Sequence, residues 1–421
     1  MNAEIISVGT EIILGDILNT HSQFLSQELA AMGINVYYQT AVGDNDGRFT
    51  QILQTALERS DVIFLTGGLG PTTDDITKET ACHLLGVECH YNEEVGECIK
   101  SFFARAGRPM TENNLKQAMV PDGAVILHNS WGTAPGFIIA KENKTVVLLP
   151  GPPRELRPMF EQCVKPYFKA NAKEPIVSKN VRVFGIGESA LETQIEDLVL
   201  STAPTVALYA KEGEVLIRVT AKAPSEQEAE QHIDRMIATL YDRLGTHIYG
   251  INKDSLQQVV VERLQNAHQT IATAESCTGG TLAGRITQIS GSSEVFHLGV
   301  VTYANDIKHQ ELGVRNETLE AYGAVSEQTA TEMALGLAKK SGADYNVSIT
   351  GIAGPTGAVP GKPVGTVYIA VAHRGKVWCE RYNFARNQNE REYIRSLSCL
   401  NALNMVRLTL EEPTVWEKQY H

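Results

Sequence analysis

The sequence predicts an α/β protein of two or three domains, and three observations support this prediction. The chain has 421 residues, which is too long for one compact core. Short apolar segments alternate with helical patterns in its first part, as in a doubly wound sheet with helices on both faces. The composition changes near residues 171–175, where Ala, Lys and Pro suggest a linker. We therefore expect an N-terminal domain over 1–170, a small α+β domain over 176–248 and a C-terminal α/β domain over 254–412.

The N-terminal domain is expected to contain a parallel sheet, because strands and helices alternate along it. The predicted strands are 4–8, 35–42, 61–66 and 145–149, and the predicted helices are 20–32, 48–59, 75–85 and one that ends at 167. Such sheets bind their ligands at the carboxyl ends of the strands.

The rest of the chain is predicted to form two further α/β units. The middle unit has a strand 180–184, a helix after Gly187, a hairpin around 212–213 and a helix 225–244, and it carries no obvious chemistry. The C-terminal unit has helices 254–267 and 327–341, strands 270–273, 295–303 and 345–350, a Gly- and Pro-rich loop 351–363, a hairpin 364–384 and a final helix.

Composition and charge exclude several classes of protein. The net charge of -12 and the pI near 5.5 argue against broad nucleic-acid binding, which needs clustered Lys and Arg. No apolar run approaches the ~18 residues that cross a membrane. The start, MNAEIISVGTE, lacks the basic region and long apolar run of a secretory signal, so we expect a cytoplasmic protein. The seven cysteines show neither a C-x-x-C pair nor zinc spacing.

A serine in the C-terminal domain is a candidate nucleophile. Ser276 lies between a predicted strand and a Gly-rich helix start, where free N–H groups favour negative charge. It needs a base, and Tyr303 and Lys308 follow the next predicted strand; a partly desolvated lysine can act as that base. The alternative is that Ser276 only caps a helix and Lys308 is a solvated surface charge. On residue types alone this alternative is favoured.

Five segments reverse that preference. They are AESCTGG at 274–280, GSSEVF at 291–296, GVVTYANDIK at 299–308, TGIAGP at 350–355 and KPVGTV at 362–367. In this order they resemble the CinA family, whose C-terminal domain is a nicotinamide-nucleotide amidase. The resemblance implies hydrolysis of nicotinamide mononucleotide to nicotinic acid mononucleotide and ammonia without a cofactor. It implies Ser276 as the nucleophile and Tyr303 and Lys308 as its activating partners.

The same resemblance implies a set of substrate contacts in this domain. The residues expected to hold the substrate and the oxyanion are Gly291, Ser293, Thr350, Gly351, Ala353 and Gly354. Arg391 is expected to pair with the ligand phosphate, as a planar, permanently charged fork suits that role. The stretch 384–390 is longer than in relatives, so Arg386 and Arg395 remain alternatives for this role.

A second candidate site follows a strand in the N-terminal domain. The string TGGLGPTTDDIT at 66–77 combines glycines, whose N–H groups can reach a phosphate, with a helix start that attracts anions. Asp74 and Asp75 would repel a phosphate unless a divalent cation lay between them. The alternative is a turn followed by an Asp-rich helix cap.

These strings resemble the N-terminal domain of the CinA family, which shares its fold with molybdopterin-binding proteins. The resemblance implies hydrolysis of ADP-ribose to AMP and ribose 5-phosphate with a divalent metal (Mg, Mn or Co). The implied diphosphate contacts are Gly67, Gly68, Gly70 and Thr72, and the implied metal or water-positioning groups are Asp44, Asp74, Asp75 and, as a weaker candidate, Glu11.

The resemblance also implies a homodimer, and it leaves two other functions open. The N-terminal domain is alternatively a molybdopterin-type binding or adenylating module, because one fold hosts many functions. The family's name also raises a non-enzymatic protein of DNA uptake or repair, which the acidic charge disfavours. We therefore expect nicotinamide mononucleotide and ADP-ribose as substrates, and neither nucleic acid nor membrane as a partner.

Overall fold

The computed structural model describes residues 1–171, 175–385 and 390–411, and the chain divides into two compact units. The first unit contains Met1–Ser178 and Thr220–His232. The second contains Lys179–Val219 and the described residues from Ile233 onward. Segments of the domain predicted over 176–248 therefore occur in both units. No helix in the described part of the chain is long and apolar enough to cross a membrane.

The N-terminal part of the first unit alternates strands and helices. Its elements are β1 (Asn2–Val8), α1 (Thr10–Leu14), α2 (Thr20–Ala31), β2 (Asn35–Val42), α3 (Asp46–Arg59), β3 (Val62–Thr66), α4 (Thr77–Leu85), β4 (Cys89–Tyr91), α5 (Glu93–Arg105), a 3₁₀ helix (Glu112–Ala118), β5 (Met119–Pro121), β6 (Val125–Leu127), β7 (Gly136–Lys141), β8 (Lys144–Leu149), α6 (Pro153–Met159), a π-helical turn (Phe160–Val164) and α7 (Lys165–Ala170).

The main sheet of this unit is mixed, although the sequence pattern predicted a parallel one. Its order is β2-β1-β3-β8-β7-β6. The first four strands are parallel, whereas β7 pairs antiparallel with both β8 and β6. Only two residues separate β7 from β8, and so short a connection permits only an antiparallel hairpin. The string GFIIAKENKTVVLL, with two apolar runs around a polar turn, carries this signal.

The central strands of this sheet are buried because both of its faces are covered. Every residue of β3 is buried, and β1 is buried from its second residue onward. One core cluster packs α2, α6 and α7 on one face, and a second packs α3 and α4 on the other. The carboxyl ends of β1, β3 and β8 are thereby held side by side at one edge.

The middle of the chain contributes a four-stranded sheet and two helices. Its elements are β9 (Ile176–Phe184), α8 (Glu188–Val199), β10 (Thr205–Lys211), β11 (Glu214–Lys222), α9 (Glu226–Leu244), a 3₁₀ turn (Gly245–His247) and β12 (Ile248–Ile251). The strand order is β10-β11-β9-β12.

The C-terminal part of the second unit contains a five-stranded sheet with helices around it. Its elements are α10 (Leu256–Ala267), β13 (Ile271–Glu275), α11 (Thr281–Thr287), a 3₁₀ turn (Ser292–Glu294), β14 (Phe296–Val301), α12 (Asn305–Leu312), α13 (Asn316–Tyr322), α14 (Glu327–Ser341), β15 (Tyr345–Gly351), β16 (Thr366–His373), β17 (Lys376–Asn383) and α15 (Arg391–Glu411).

The order of this sheet is β14-β13-β15-β16-β17. Strands β14, β13 and β15 are parallel, and β16 and β17 continue the sheet as an antiparallel hairpin. β13 is buried along its whole length, whereas the edge strand β14 alternates between partly buried and exposed residues. The strand predicted over 295–303 is therefore present but shorter, Phe296–Val301, and it is an edge strand with a neighbour on one side only.

Candidate functional site

Ser276 lies at the carboxyl edge of the C-terminal sheet, directly after the central strand β13. Its N–H donates to Ile349 O of β15 at 2.9 Å, and Thr302 N–H, beyond β14, donates to Glu275 O at 2.9 Å. Ser276 is therefore placed between the ends of two parallel neighbours, where such sheets carry their ligand sites. Its side chain is largely buried, and Oγ makes no hydrogen bond with a described residue.

The N–H groups at the start of the following helix are not free, contrary to the prediction. Helix α11 begins at Thr281, five residues after Ser276. The carboxylate of Glu275, only 1% exposed, accepts from Gly280 N at 3.0 Å, Leu282 N at 3.0 Å and Ala283 N at 2.8 Å. A buried carboxylate thus satisfies the helix N-terminus and complements its dipole. An oxyanion must take its donors from elsewhere.

Lys308 is buried, so the alternative of a solvated surface charge is wrong. Its side chain is 1% exposed, and Nζ donates to Thr302 O at 2.8 Å and to Tyr303 O at 3.0 Å. Burial lowers the pKa of Lys308, and the nearby Cys277 side chain opposes this shift. Lys308 is therefore anchored to the segment that follows β14, and burial favours its neutral, basic form.

Tyr303 is exposed and is connected to Arg391 at the start of α15. The Tyr303 ring is 61% exposed, because it lies two residues beyond the edge strand. Arg391 Nη2 donates to Tyr303 Oη at 3.2 Å, and Arg391 Nη1 donates to Gly354 O at 2.7 Å. The structure therefore brings together three residues of the predicted site from three separate segments.

The alternative phosphate residues differ in their surroundings. Arg395 is half-buried, and its Nη2 donates to Thr278 O at 2.7 Å and to Thr281 Oγ1 at 2.7 Å. Arg386 lies outside the described residues. Arg391 is exposed, in contrast to the half-buried Arg395.

Three of the predicted substrate contacts have structural roles in the described chain. Thr350 is fully buried, and its hydroxyl donates to Ala324 O at 2.7 Å. A side chain at Gly351 would lie 2.7 Å from a methyl group of Val367, so glycine is required by close packing there. Ala353 is buried in the core. These residues shape the loop that carries Gly354.

Gly291 and Ser293 lie at the opposite edge of the sheet from Ser276. Ile271 N–H, at the amino end of β13, donates to Val295 O at 2.8 Å. The segment that precedes β14 is therefore at the amino edge, and five strand residues separate the two edges by roughly 16 Å. Within one chain, Gly291 and Ser293 do not join the other predicted residues.

The first unit has a cavity of about 670 Å³ at the carboxyl edge of its sheet. This volume is typical of small-molecule sites. The predicted residues that line it are Glu11, Asp44, Gly67, Gly68, Gly70, Asp74 and Asp75. Loops after β1, β2, β3 and β8 contribute to the lining, because the ends of these strands are neighbours in the sheet.

The glycine loop at this cavity is held by close backbone contacts. Gly68 has φ 65°, and a side chain there would lie 2.1 Å from Thr77 Oγ1. Gly67 N–H donates to Leu149 O at 3.0 Å, so it is not available to a diphosphate. Thr72 donates both its N–H and its hydroxyl to Asp75, which lies before α4 rather than inside it. The predicted helix start at residue 75 is thus replaced by a short turn.

The four predicted metal ligands line one cavity but do not form a preassembled cluster. Among the described residues, no group of three or more His, Cys, Asp or Glu side chains could together hold a metal ion. Asp44 accepts from Thr10 N and Thr10 Oγ1, each at 2.8 Å. A magnesium-type ion commonly uses one or two carboxylates and completes its shell with substrate phosphates and water. The oxygen donors present fit that arrangement.

Three buried polar side chains of this cavity were missed in the sequence. His21, Thr66 and Gln117 all line it, and each is at least nine-tenths buried. Neither ring nitrogen of His21 makes a hydrogen bond, and Thr66 Oγ1 and Gln117 Oε1 also lack a partner among the described residues. Such residues are isolated in the sequence, and only their convergence on one cavity distinguishes them.

These features define a class: an α/β protein with a glycine-loop cavity in its N-terminal unit and a separate serine-containing site in its C-terminal unit. Residues 4–170 match the family model "Probable molybdopterin binding domain". Residues 178–250 match "Damage-inducible protein CinA KH domain", and residues 253–410 match "CinA C-terminal domain". The chain belongs to the CinA family, and this membership suggests a hydrolase-type enzyme. The family and the fold class predicted from the sequence are confirmed.

Two relatives that match over 97% of this chain support this assignment. A putative competence-damage inducible protein of Thermoanaerobacter pseudethanolicus is 48% identical over 407 residues, covering 97% of this chain and 98% of that protein. A CinA-like protein of Dictyoglomus thermophilum is 48% identical over 408 residues, with the same coverage. A solved structure of the competence/damage inducible protein CihA from Agrobacterium tumefaciens is 42% identical, with a TM-score of 0.36, and covers 37% of this chain and 94% of that one.

Proposed function

We propose that the C-terminal unit hydrolyses the carboxamide of nicotinamide mononucleotide. One observation carries this proposal: the Ser276 hydroxyl, which has no hydrogen-bond partner among the described residues, and the buried Lys308 amine both follow adjacent strands, β13 and β14, at the carboxyl edge. Thr302 links Lys308 to the residue before Ser276, since its N–H donates to Glu275 O and its carbonyl accepts from Lys308 Nζ. In amide hydrolysis, a serine can act as the nucleophile when a desolvated lysine serves as its base.

The proposed reaction has two halves. Ser276 Oγ attacks the carboxamide carbon, and its proton passes to the neutral Lys308 amine, directly or through Tyr303. The carbonyl electron pair moves onto oxygen; when it returns, the amide nitrogen takes the proton and leaves as ammonia. Water then attacks the acyl-serine ester while the same amine takes its proton and returns it to Ser276. The products are nicotinic acid mononucleotide and ammonia.

Arg391 is proposed to bind the phosphate of the substrate. Arg391 is exposed, and its hydrogen bonds to Gly354 O and Tyr303 Oη hold the guanidinium beside Tyr303, the proposed partner of the nucleophile. The loss of this charge is expected to raise KM more than it lowers kcat, because the phosphate takes no part in bond breaking.

The amidase proposal is tested by measuring ammonia and nicotinic acid mononucleotide with the full-length protein. Wild type should release both in equal amounts, and Ser276→Ala should release neither. Lys308→Met should lose most of kcat, whereas Lys340→Met, an exposed lysine in the same unit, should not. Turnover that survives in Ser276→Ala would remove Ser276 as nucleophile. A folded wild type without turnover would refute the substrate.

We further propose that the N-terminal domain hydrolyses ADP-ribose to AMP and ribose 5-phosphate with Mg, Mn or Co. The cavity of about 670 Å³, with acidic side chains in its lining, supports a nucleotide-sized ligand. Glu11, Asp44, Asp74 and Asp75 would hold the metal, which would neutralise the diphosphate charge. Asp44 and Asp75 also fix the loops through their threonine partners.

This second activity is tested with ADP-ribose and each metal in turn. Asp74→Asn and Asp75→Asn should abolish AMP release and leave the amidase intact, since the two sites are in separate units. Asp74 is exposed, so its substitution should not disturb the fold. No AMP with any of the three metals would favour a molybdopterin-type binding or adenylating module instead.

The remaining proposals concern partners. We propose a cytoplasmic homodimer that does not act through nucleic acid. Light scattering of the full chain tests the dimer, and a monomer would refute it. The relatives are named for competence and damage induction. Tight, salt-sensitive DNA binding would favour that role for this chain.

A further inference from the structure

The turn after Ser276 contains two backbone donors that have no acceptor among the described residues. Ser276 N–H is bonded to Ile349, and Gly279 N–H donates to Ser276 O at 3.1 Å. The amides that follow at the start of α11 are occupied by Glu275. Cys277 N–H and Thr278 N–H donate to no described residue. They are the amides next to the proposed nucleophile.

Arg395, on helix α15, hydrogen-bonds to this turn. Its Nη2 donates at 2.7 Å to Thr278 O and at 2.7 Å to Thr281 Oγ1, and Thr281 Oγ1 in turn donates to Thr278 O at 2.7 Å. The carbonyl of Thr278 is thus fixed by two side chains. Because a carbonyl fixes the direction of its peptide plane, these contacts restrict the turn that carries both free amides.

We propose that Arg395 is a positioning residue for amide hydrolysis: it holds the turn so that Cys277 N–H and Thr278 N–H receive the oxygen of the tetrahedral intermediate. This inference deepens the proposed amidase function and rests on it. Backbone donors in such a place act where charge develops, so they favour the transition state over bound substrate. The Arg395 side chain itself does not contact the reacting atoms.

The rival role for Arg395 is phosphate binding, and the two roles have different kinetic consequences. A phosphate contact acts mainly on KM and only with phosphorylated substrates. A positioning contact acts on kcat, and equally on a substrate without a phosphate. Nicotinamide riboside, which has the same carboxamide and no phosphate, therefore separates the two roles.

The experiment compares Arg395→Met and Arg395→Lys with wild type in the full-length protein, on nicotinamide mononucleotide and on nicotinamide riboside. Arg395→Met should lower kcat roughly 10- to 100-fold on both substrates, with KM changed less than about 3-fold, since a small displacement of catalytic donors has such effects. Arg395→Lys should be intermediate, because its ammonium can still donate to Thr278 O. Arg374→Met, at an exposed arginine of the same unit, is the control.

A second readout is independent of the natural substrate. A fluorophosphonate forms a bond between Ser276 Oγ and phosphorus, fluoride leaves with the electrons of the P–F bond, and the serine proton passes to Lys308. The developing charge on the phosphoryl oxygen needs the same donors. Arg395→Met should therefore slow labelling of Ser276, measured by mass spectrometry, by a similar factor. Should Arg395→Met not fold, Thr281→Val removes the second contact of the arginine and should slow labelling by a smaller factor.

The outcomes separate the inference from the function it rests on. Labelling slowed by Arg395→Met in a protein that does not hydrolyse nicotinamide mononucleotide would support the positioning role and refute the substrate. A raised KM for nicotinamide mononucleotide alone, with riboside turnover and labelling unchanged, would make Arg395 the phosphate residue and overturn the inference. A folded wild type that is neither labelled nor active, or a folded Thr281→Val labelled at the wild-type rate, would overturn it as well.

Discussion

Replacement of Glu275 by Gln tests how the start of α11 is held. In the wild type, Glu275 Oε2 accepts from Gly280 N and Leu282 N, and Oε1 accepts from Ala283 N. A glutamine can keep its carbonyl on the first pair, but its amide NH₂ then faces Ala283 N–H. One buried, charge-assisted hydrogen bond is lost, at about 1.5–3 kcal/mol. The lost charge at the helix N-terminus adds about 0.3–1 kcal/mol.

The expected cost is therefore about 2–4 kcal/mol. At 1.4 kcal/mol per tenfold change in an equilibrium constant, the equilibrium constant for local opening of this segment should rise roughly 30- to 700-fold. Hydrogen exchange of a peptide that covers residues 276–287 measures this change directly. Glu294→Gln is the matched control, because Glu294 is exposed and makes no side-chain hydrogen bond with a described residue. Unchanged exchange in Glu275→Gln would refute the assignment of the carboxylate as the cap of α11.

Three further predictions concern other groups. Burial lowers the pKa of Lys308 from its ordinary 10.5, so kcat for the amide should rise through an apparent pKa below that value. The same shift should make the free energy of unfolding rise with pH between the folded-state pKa and 10.5, because the unfolded state binds more protons in that range. An apparent pKa of 10.5 in the pH profile of kcat would contradict the lowered pKa and therefore both expectations. Gly68→Ala should lower the melting temperature more than Gly15→Ala. Both glycines have positive φ, but only a methyl group at Gly68 would clash with Thr77 Oγ1. Equal decreases in melting temperature would contradict the clash. Thr66→Val removes a buried hydroxyl that has no partner among the described residues, so the free energy of unfolding, measured by chemical denaturation, should stay unchanged or rise by about 1 kcal/mol. A loss of that size would contradict the absence of a hydrogen bond.

Local patterns predicted the elements best where capping and periodicity agree. Helix α14 occupies the predicted residues 327–341, with Ser326 accepting from Thr329 N at its start and Gly342 in the left-handed conformation at its end. Strand β2 likewise occupies 35–42. Strand β6 was missed because it has only three residues, whereas the hairpin of β7 and β8 is visible in the sequence as two apolar runs around a polar turn.

By itself, the sequence determined the family, the fold class and the residues that carry the C-terminal motif, because five ordered segments and apolar periodicity are properties of the chain alone. Only the tertiary structure decided what those residues can do. Burial of Lys308, occupation of the helix N–H groups by Glu275 and the placement of Gly291 at the far edge all depend on partners distant in sequence. Hydrogen bonding and desolvation are set by what the fold places around a group, so a motif identifies a serine and a lysine, and their surroundings determine their chemistry.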